Sequence, residues 1–211
     1  MFSPRSFHTK LLGGDMPAPA HPVLESGHVY RTRDLLRWGQ NAARLAQRLV
    51  REGLLRQLRQ GVYEAPVQTR FGLAPAADAE LVMAFLGTDD FLFTGSARWN
   101  ALGLGATGVQ AVTLVYNKKR TGDVKLGNRR FRFRRVAYPS TNPAPEWFAV
   151  DLLRHHAEAG VAREEVLAAT VVAVRDGRLN DAMLLDMAQC FGRTGTVVAV
   201  TKVLADAGRA S

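Results

Sequence analysis

Around Gly53 the apolar spacing of this chain switches from helical to extended within a few residues. Before it, Ala42, Leu45, Ala46, Leu49 and Val50 recur at the three- and four-residue spacing of one helix face. After it, 54–58 and 62–65 read as two short strands joined by Arg59-Gln60-Gly61, with glycine at the tip and Pro66 closing the second strand. Upstream, 34–38 is a short apolar segment with Thr32 as its N-cap, Asp34 in the first turn where the helix dipole favours an anion, and Gly39 at its end. Helix, glycine turn, helix and hairpin, in that order, are the parts of a winged helix-turn-helix. Residues 23–66 are expected to fold as that unit, with room for a short helix over 22–26. Residues 1–22, broken by Gly13, Gly14, Pro17, Pro19 and Pro22, are expected to form an irregular arm.

The helix before Gly53 has a polar face as well defined as its apolar one. Arg44, Gln47, Arg48 and Arg51 fall at i, i+3, i+4 and i+7, with no acidic residue among them. Planar arginine and amide forks bond two acceptors on guanine, or the donor and acceptor of adenine, in the major groove. Gln40 and Asn41 enter this helix, and Arg56, Arg59 and Gln60 lie on the hairpin, where they can meet the backbone or the minor groove. These nine residues are the candidate contacts to double-stranded DNA. The bland alternative is an arginine-rich face that serves solubility alone.

Charge is concentrated in two places. From 28 to 63, eight arginines against Asp34 and Glu52 give +6; from 117 to 135, nine lysines and arginines against Asp123 give +8. The whole chain carries +9, so everything else sums to −5. Two basic islands in a mildly acidic protein fit polyanion contact confined to particular elements.

The rest of the chain reads as follows. The stretch 66–76 has three breakers and little periodicity, so residues 67–76 are expected to be an interdomain linker, and 77–211 a mixed α/β domain ending in a small helical bundle, so that the fold class is α+β. A helix is expected over 77–86, a strand over 91–94, a helix over 97–102, a strand over 110–117 and a turn over 118–122. The stretch 129–135 alternates, placing Phe131 and Phe133 on one face and Arg130, Arg132 and Arg134 on the other. With Lys118, Lys119 and Arg120 these form a second candidate basic surface. It suits DNA, RNA or an acidic protein partner, whereas single arginines on an edge strand merely discourage sheet pairing. Four helices, over 147–159, 163–175, 180–191 and 196–207, close the domain. His155 and His156 are neighbours on the first of these, point about 100° apart and cannot chelate one ion together; they are expected to be surface or packing residues.

Several chemistries find no support. There is no Walker-type phosphate loop, HExxH or GxSxG. The letters GxGxxG at 103–108 follow a short helix rather than a strand, so the pyrophosphate geometry is missing. A metal-dependent nuclease would need a carboxylate near Asn117-Lys118 to complement Asp89 and Asp90, and none stands there. No catalytic residue, cofactor or metal is therefore expected, with the nuclease kept as the alternative enzyme reading. The longest apolar run, 166–174, is far below the roughly 20 residues of a membrane span. A single cysteine, Cys190, agrees with a reducing compartment, and a cytoplasmic location is expected.

Three stretches carry a resemblance to a family. RLAQRLVREGLLRQLRQGVYEAP (44–66) matches a helix ending in R-x-G-x-L, a short strand, then G-x-Y and Pro. FTGSARWNALGL, ending at Leu104, matches a strand, a Gly-Ser turn and a helix closing in Leu-Gly-Leu. FGRTGTVVAVTKVLADAG is similar to short terminal helices. Together they resemble the AbiEi antitoxins of type IV toxin-antitoxin systems. The resemblance implies an N-terminal domain that represses its own operon by binding the promoter, and a C-terminal domain that opposes a partner nucleotidyltransferase toxin. A free-standing regulator is the alternative, and the residues leave the oligomeric state open.

Overall fold

A computed structural model describes residues 22–104 and 112–208. The arm expected over 1–22 lies outside the described residues except for Pro22, as does most of the GxGxxG stretch. Mixed α+β architecture is what the chain adopts.

Its first layer is an antiparallel three-stranded sheet in the order β1-β3-β2, made by β1 (Val29–Arg31), β2 (Arg56–Arg59) and β3 (Val62–Glu64). Between β1 and β2 run a 3₁₀ helix (Thr32–Trp38) and α1 (Ala42–Arg51). Arg31, rather than Thr32, is the cap of the 3₁₀ segment: the Asp34 carboxylate accepts from the Arg31 N–H at 2.7 Å. Asn41 caps α1, accepting from the Arg44 N–H at 3.0 Å. Gly53 (φ +74°) reverses the chain after α1, and Gly61 (φ +77°) turns the β2–β3 hairpin. Tyr30, Leu35, Ala46, Leu49, Leu55 and Tyr63 form the core of this layer.

Two expectations fail here. No helix forms over 22–26; a turn at Ser26-Gly27 leads into β1, whose three residues are too few to show a period. The segment 67–76 is no linker. It folds into an antiparallel hairpin, β4 (Val67–Thr69) with β5 (Gly72–Ala74), turned at Arg70-Phe71.

The hairpin leads to α2 (Asp78–Leu86), which packs between the two halves. Val29 and Val62 of the first sheet join Leu81, Val82 and Leu86 of α2 and Val115, Phe131 and Phe133 of a second sheet in one apolar cluster. That second sheet has the order β6-β7-β9-β8, from β6 (Phe91–Thr94), β7 (Thr113–Asn117), β8 (Gly122–Leu126) and β9 (Arg129–Arg135). β7 and β9 run parallel and the other pairs antiparallel. The strand β8, for which the sequence carries no expectation beyond a turn ending at Gly122, pairs with β9 in the register Asp123↔Arg132. The short helix α3 (Ser96–Ala101) follows β6. One face of the sheet covers α2. The other carries α4 (Pro145–His155), followed by α5 (Arg163–Arg175), α6 (Asp181–Phe191) and α7 (Thr194–Gly208), whose core includes Trp147, Leu152, Val166, Leu184 and Val200.

Candidate nucleic-acid interface

The two faces of α1 separate as the period requires. Ala42, Leu45, Ala46 and Leu49 are buried, Arg44, Gln47 and Arg51 are exposed, and Arg48 is half-buried. The side chains of Arg44 and Arg51 have no partner among the described residues. Arg48 lies 3.8 Å from Glu52, one turn along the same helix. Gln40 and Asn41 are exposed at the helix entrance, but the Asn41 side-chain oxygen is occupied as the cap.

A groove of about 910 Å³ separates α1 from the β2–β3 hairpin. Val50 and Tyr63 line it together with Gln47, Arg51, Gln57 and Gln60. On its other flank α1 borders a groove of about 350 Å³ lined by Trp38, Arg44, Arg48 and Arg51. Arg51 lines both. The helix thus stands proud between two depressions with its guanidiniums at their rims, a shape that suits insertion between phosphate strands.

The hairpin residues divide. Gln60 is exposed at the turn. Arg56 pairs with Glu64, a carboxylate buried almost completely, which also accepts from the Ala76 N–H at 3.1 Å. Arg56 therefore compensates a buried charge rather than standing free for DNA. Arg59 is exposed, with its guanidinium 5.4 Å from the Phe85 ring centre.

On the second island the alternation of β9 is as expected: Phe131 and Phe133 are buried. The charges, however, are mostly occupied. Arg132 forms a forked pair with Asp123 at 2.9 Å through both Nε and Nη2, and Arg134 reaches Glu158 at 3.3 Å. Lys118 pairs with Asp90 at 2.9 Å. Lys119 donates to the carbonyls of Leu86 and Gly87, satisfying the free acceptors at the C-terminus of α2 where a cation is favoured. Arg129 bonds Asp78 and the Ala76 carbonyl at the other end of that helix. Hydrogen bonds from Arg132 and Lys118 hold the carboxyls of Asp123 and Asp90 below their ordinary range, and Tyr138 adds a second bond to Asp90. Arg130 is exposed without a side-chain partner among the described residues. Its neighbours largely fasten the sheet to the surrounding elements.

The islands meet in space. Arg120 lies 4.7 Å from the same Phe85 ring that Arg59 approaches. Arg31 donates to the Met83 carbonyl at 3.3 Å, and burial, then the charges of Arg33 and Arg120, lower its pKa against the pull of Asp34. Residues nearly ninety positions apart thus share one cationic neighbourhood beside the end of α2.

A cluster outside the sequence expectation lies between α4 and the second sheet. Asp151 of α4 is buried and accepts from Tyr116 Oη at 3.0 Å, from Thr94 Oγ1 at 3.3 Å and from His155 Nδ1 at 3.1 Å. Burial, then Asp151, pushes the Tyr116 phenol up, while the hydrogen bond to Asp151 outweighs desolvation and raises the His155 imidazole. His155 is thus neither idle surface nor mere packing. His156, by contrast, faces the Val161 carbonyl at 3.2 Å. The i, i+4 spacing of Asp151 and His155 was the available signal; their partners on β6 and β7 were not visible in it.

Solved structures share this fold. The crystal structure of the RV2827C protein from Mycobacterium tuberculosis aligns over 86% of this chain and 72% of its own, with a TM-score of 0.55 and 15% identity. At that identity the likeness concerns the fold alone. No family model matches the sequence, and no curated protein matches it. Among the described residues no helix is long and apolar enough to cross a membrane.

Proposed function

We propose that residues 29–64 act as a winged helix that binds double-stranded DNA, with α1 in the major groove and the β2–β3 hairpin as the wing. The observation that carries this reading is the outward-facing set Arg44, Gln47 and Arg51, whose side chains have no partner among the described residues, on a helix that stands between two grooves. Guanidiniums kept clear of internal carboxylates remain available to phosphates and base edges. Gln40, Arg48 and Gln60 extend the contact, and Arg59 joins it from beside Phe85.

Together with the AbiEi resemblance, this makes the protein a cytoplasmic autorepressor and antitoxin, whose C-terminal domain counteracts a nucleotidyltransferase toxin encoded beside it. The DNA half of this proposal has support from side-chain geometry, and the antitoxic half has support from the resemblance.

Fluorescence anisotropy on labelled promoter duplex tests the first half. Tight, salt-sensitive binding is expected, and Arg51→Ala should cost about 1–3 kcal/mol and relax base preference. Equal weakening on every duplex would remove base readout. Co-expression with the neighbouring nucleotidyltransferase, scored for growth, tests the second half.

A further inference from the structure

The Asp151 cluster opens onto a cavity of about 230 Å³ between the C-terminal end of α4 and the exposed side of β7 and β9. Its wall includes Trp99, Arg132, Arg134, Arg135, His155 and Glu158. The parallel register Leu114↔Arg132 and Tyr116↔Arg134 sets these arginines on the face that α4 covers only in part. The arginine face of β9 is therefore the wall of a cleft rather than an open plate.

We propose that this cavity binds a phosphate-type oxyanion, held by Arg134, Arg135 and His155, with Glu158 occupying the arginine until the ligand arrives. Four observations converge. Two buried donors of wall residues, Trp99 Nε1 and Arg134 Nε, have no hydrogen-bond acceptor among the described residues, and an oxyanion supplies acceptors where a hydrophobic ligand would not. Asp151 engages His155 through Nδ1, leaving Nε2 as the nitrogen free to donate once the ring is protonated. The Arg135 side chain has no partner among the described residues. The Arg134–Glu158 pair, at 3.3 Å with Glu158 mostly exposed, is a weak bond that a tetrahedral anion can replace. The cavity is smaller than the roughly 300–1,000 Å³ of ordinary small-molecule sites, so it takes one charged group rather than a whole nucleotide.

The charge around His155 fixes the pH behaviour. Asp151 and Arg154 lie on its own helix, Glu158 just beyond, and Arg132, Arg134 and Arg135 face it from β9, with Tyr116 on β7. Asp151 favours the imidazolium, so anion affinity should fall as pH rises through the raised pKa of His155.

Calorimetry on the full chain tests the site with three probes: inorganic phosphate, sulfate, and a short oligonucleotide carrying either a 5′-phosphate or a 5′-hydroxyl. Saturable binding of inorganic phosphate is expected. Arg135→Gln should weaken it about tenfold and Glu158→Gln should tighten it, an increase that a structural role for Glu158 does not produce. Sulfate, whose charge is constant across neutral pH, should bind less tightly at pH 9 than at pH 6. Tighter binding of the 5′-phosphorylated than of the 5′-hydroxyl oligonucleotide identifies a nucleic-acid end as the source, and equal binding of the two identifies a free ion; either, with saturable phosphate binding, supports the site. Arg44→Ala should leave phosphate affinity unchanged, which separates this site from the DNA surface. Phosphate binding weaker than about 10 mM, or indifferent to both Arg135→Gln and Glu158→Gln, would overturn the proposal.

Discussion

The two basic stretches are both strongly charged, at +6 and +8, and have opposite surroundings. On α1, Arg44 and Arg51 project without partners among the described residues, because helical spacing gathers them on one face and the acid that follows, Glu52, lies beside Arg48. On β9 and just after β7, Lys118, Arg129, Arg132 and Arg134 each meet a carboxylate supplied from another element: Asp90, Asp78, Asp123 and Glu158. Charge density alone therefore does not identify a nucleic-acid surface. What distinguishes the two is whether the fold brings acids to the cations. Arg56 shows the same rule inside the first stretch, since a buried carboxylate claims it.

The largest effect expected from this contrast is on DNA affinity. The double variant Arg44→Ala, Arg51→Ala should lose about 2–4 kcal/mol of promoter binding and reduce the salt slope by about 2, with its melting temperature nearly unchanged. The matched pair on β9, Arg130→Ala with Arg132→Ala, should change promoter affinity far less. Anisotropy titrations at several salt concentrations read both, and equal losses would break the distinction.

Arg56→Ala should act on stability instead. It leaves Glu64 buried without its cation, which for a fully buried pair costs about 3–5 kcal/mol; Arg56 is half exposed, so about 2 kcal/mol is expected in urea unfolding. Gly87→Ala comes next. Gly87 ends α2 at φ +69°, and an added Cβ would stand 2.7 Å from Arg31 Nη2. Left-handed strain together with displacement of a guanidinium should cost about 1–2 kcal/mol and disturb the junction where the two stretches meet.

Much of this architecture is readable from spacing. The stripe Ala42, Leu45, Ala46 and Leu49 is buried, and the alternation that buries Phe131 and Phe133 holds through β9. Period-based reasoning works there because each element is long enough to show its repeat against one core. It fails for β1, β4 and β5, each of three residues, and for β8, where Gly122-Asp123-Val124-Lys125-Leu126 has only two apolar positions. Pro66 and Gly72, read as marks of a linker, stand at the entrance to a hairpin and at the start of its second strand. The partners of the second stretch were beyond reach for a different reason: ion pairing such as Arg129 with Asp78 joins residues 51 positions apart and depends on tertiary packing. The Asp151 cluster assembles donors from β6, β7 and α4, and no local pattern encodes that.

His155 offers a smaller, pH-dependent test of the paired class. Its folded pKa is raised by Asp151, so the stabilisation is fully present below the unfolded imidazole pKa and disappears as pH rises through the folded one. His155→Gln should therefore destabilise the protein more at pH 6 than at pH 9, as read by thermal melts across that range. An equal loss at both values would remove the imidazolium–carboxylate bond as its cause.

The smallest expected effect belongs to Arg132 and Asp123, and it sharpens the contrast most. Their geometry is good, forked and at 2.9 Å, yet both side chains face solvent. Screening by water and the entropy of fixing two long side chains offset most of the attraction, so a double-mutant cycle with Arg132→Ala and Asp123→Ala should give a coupling of at most about 0.5 kcal/mol, shrinking further in high salt. Because the pair adds little stability, Arg132 can exchange Asp123 for another anion at small cost. A coupling near 2 kcal/mol would instead make the pair a fixed strut between β8 and β9, and this part of the arginine face would then be closed to any external polyanion.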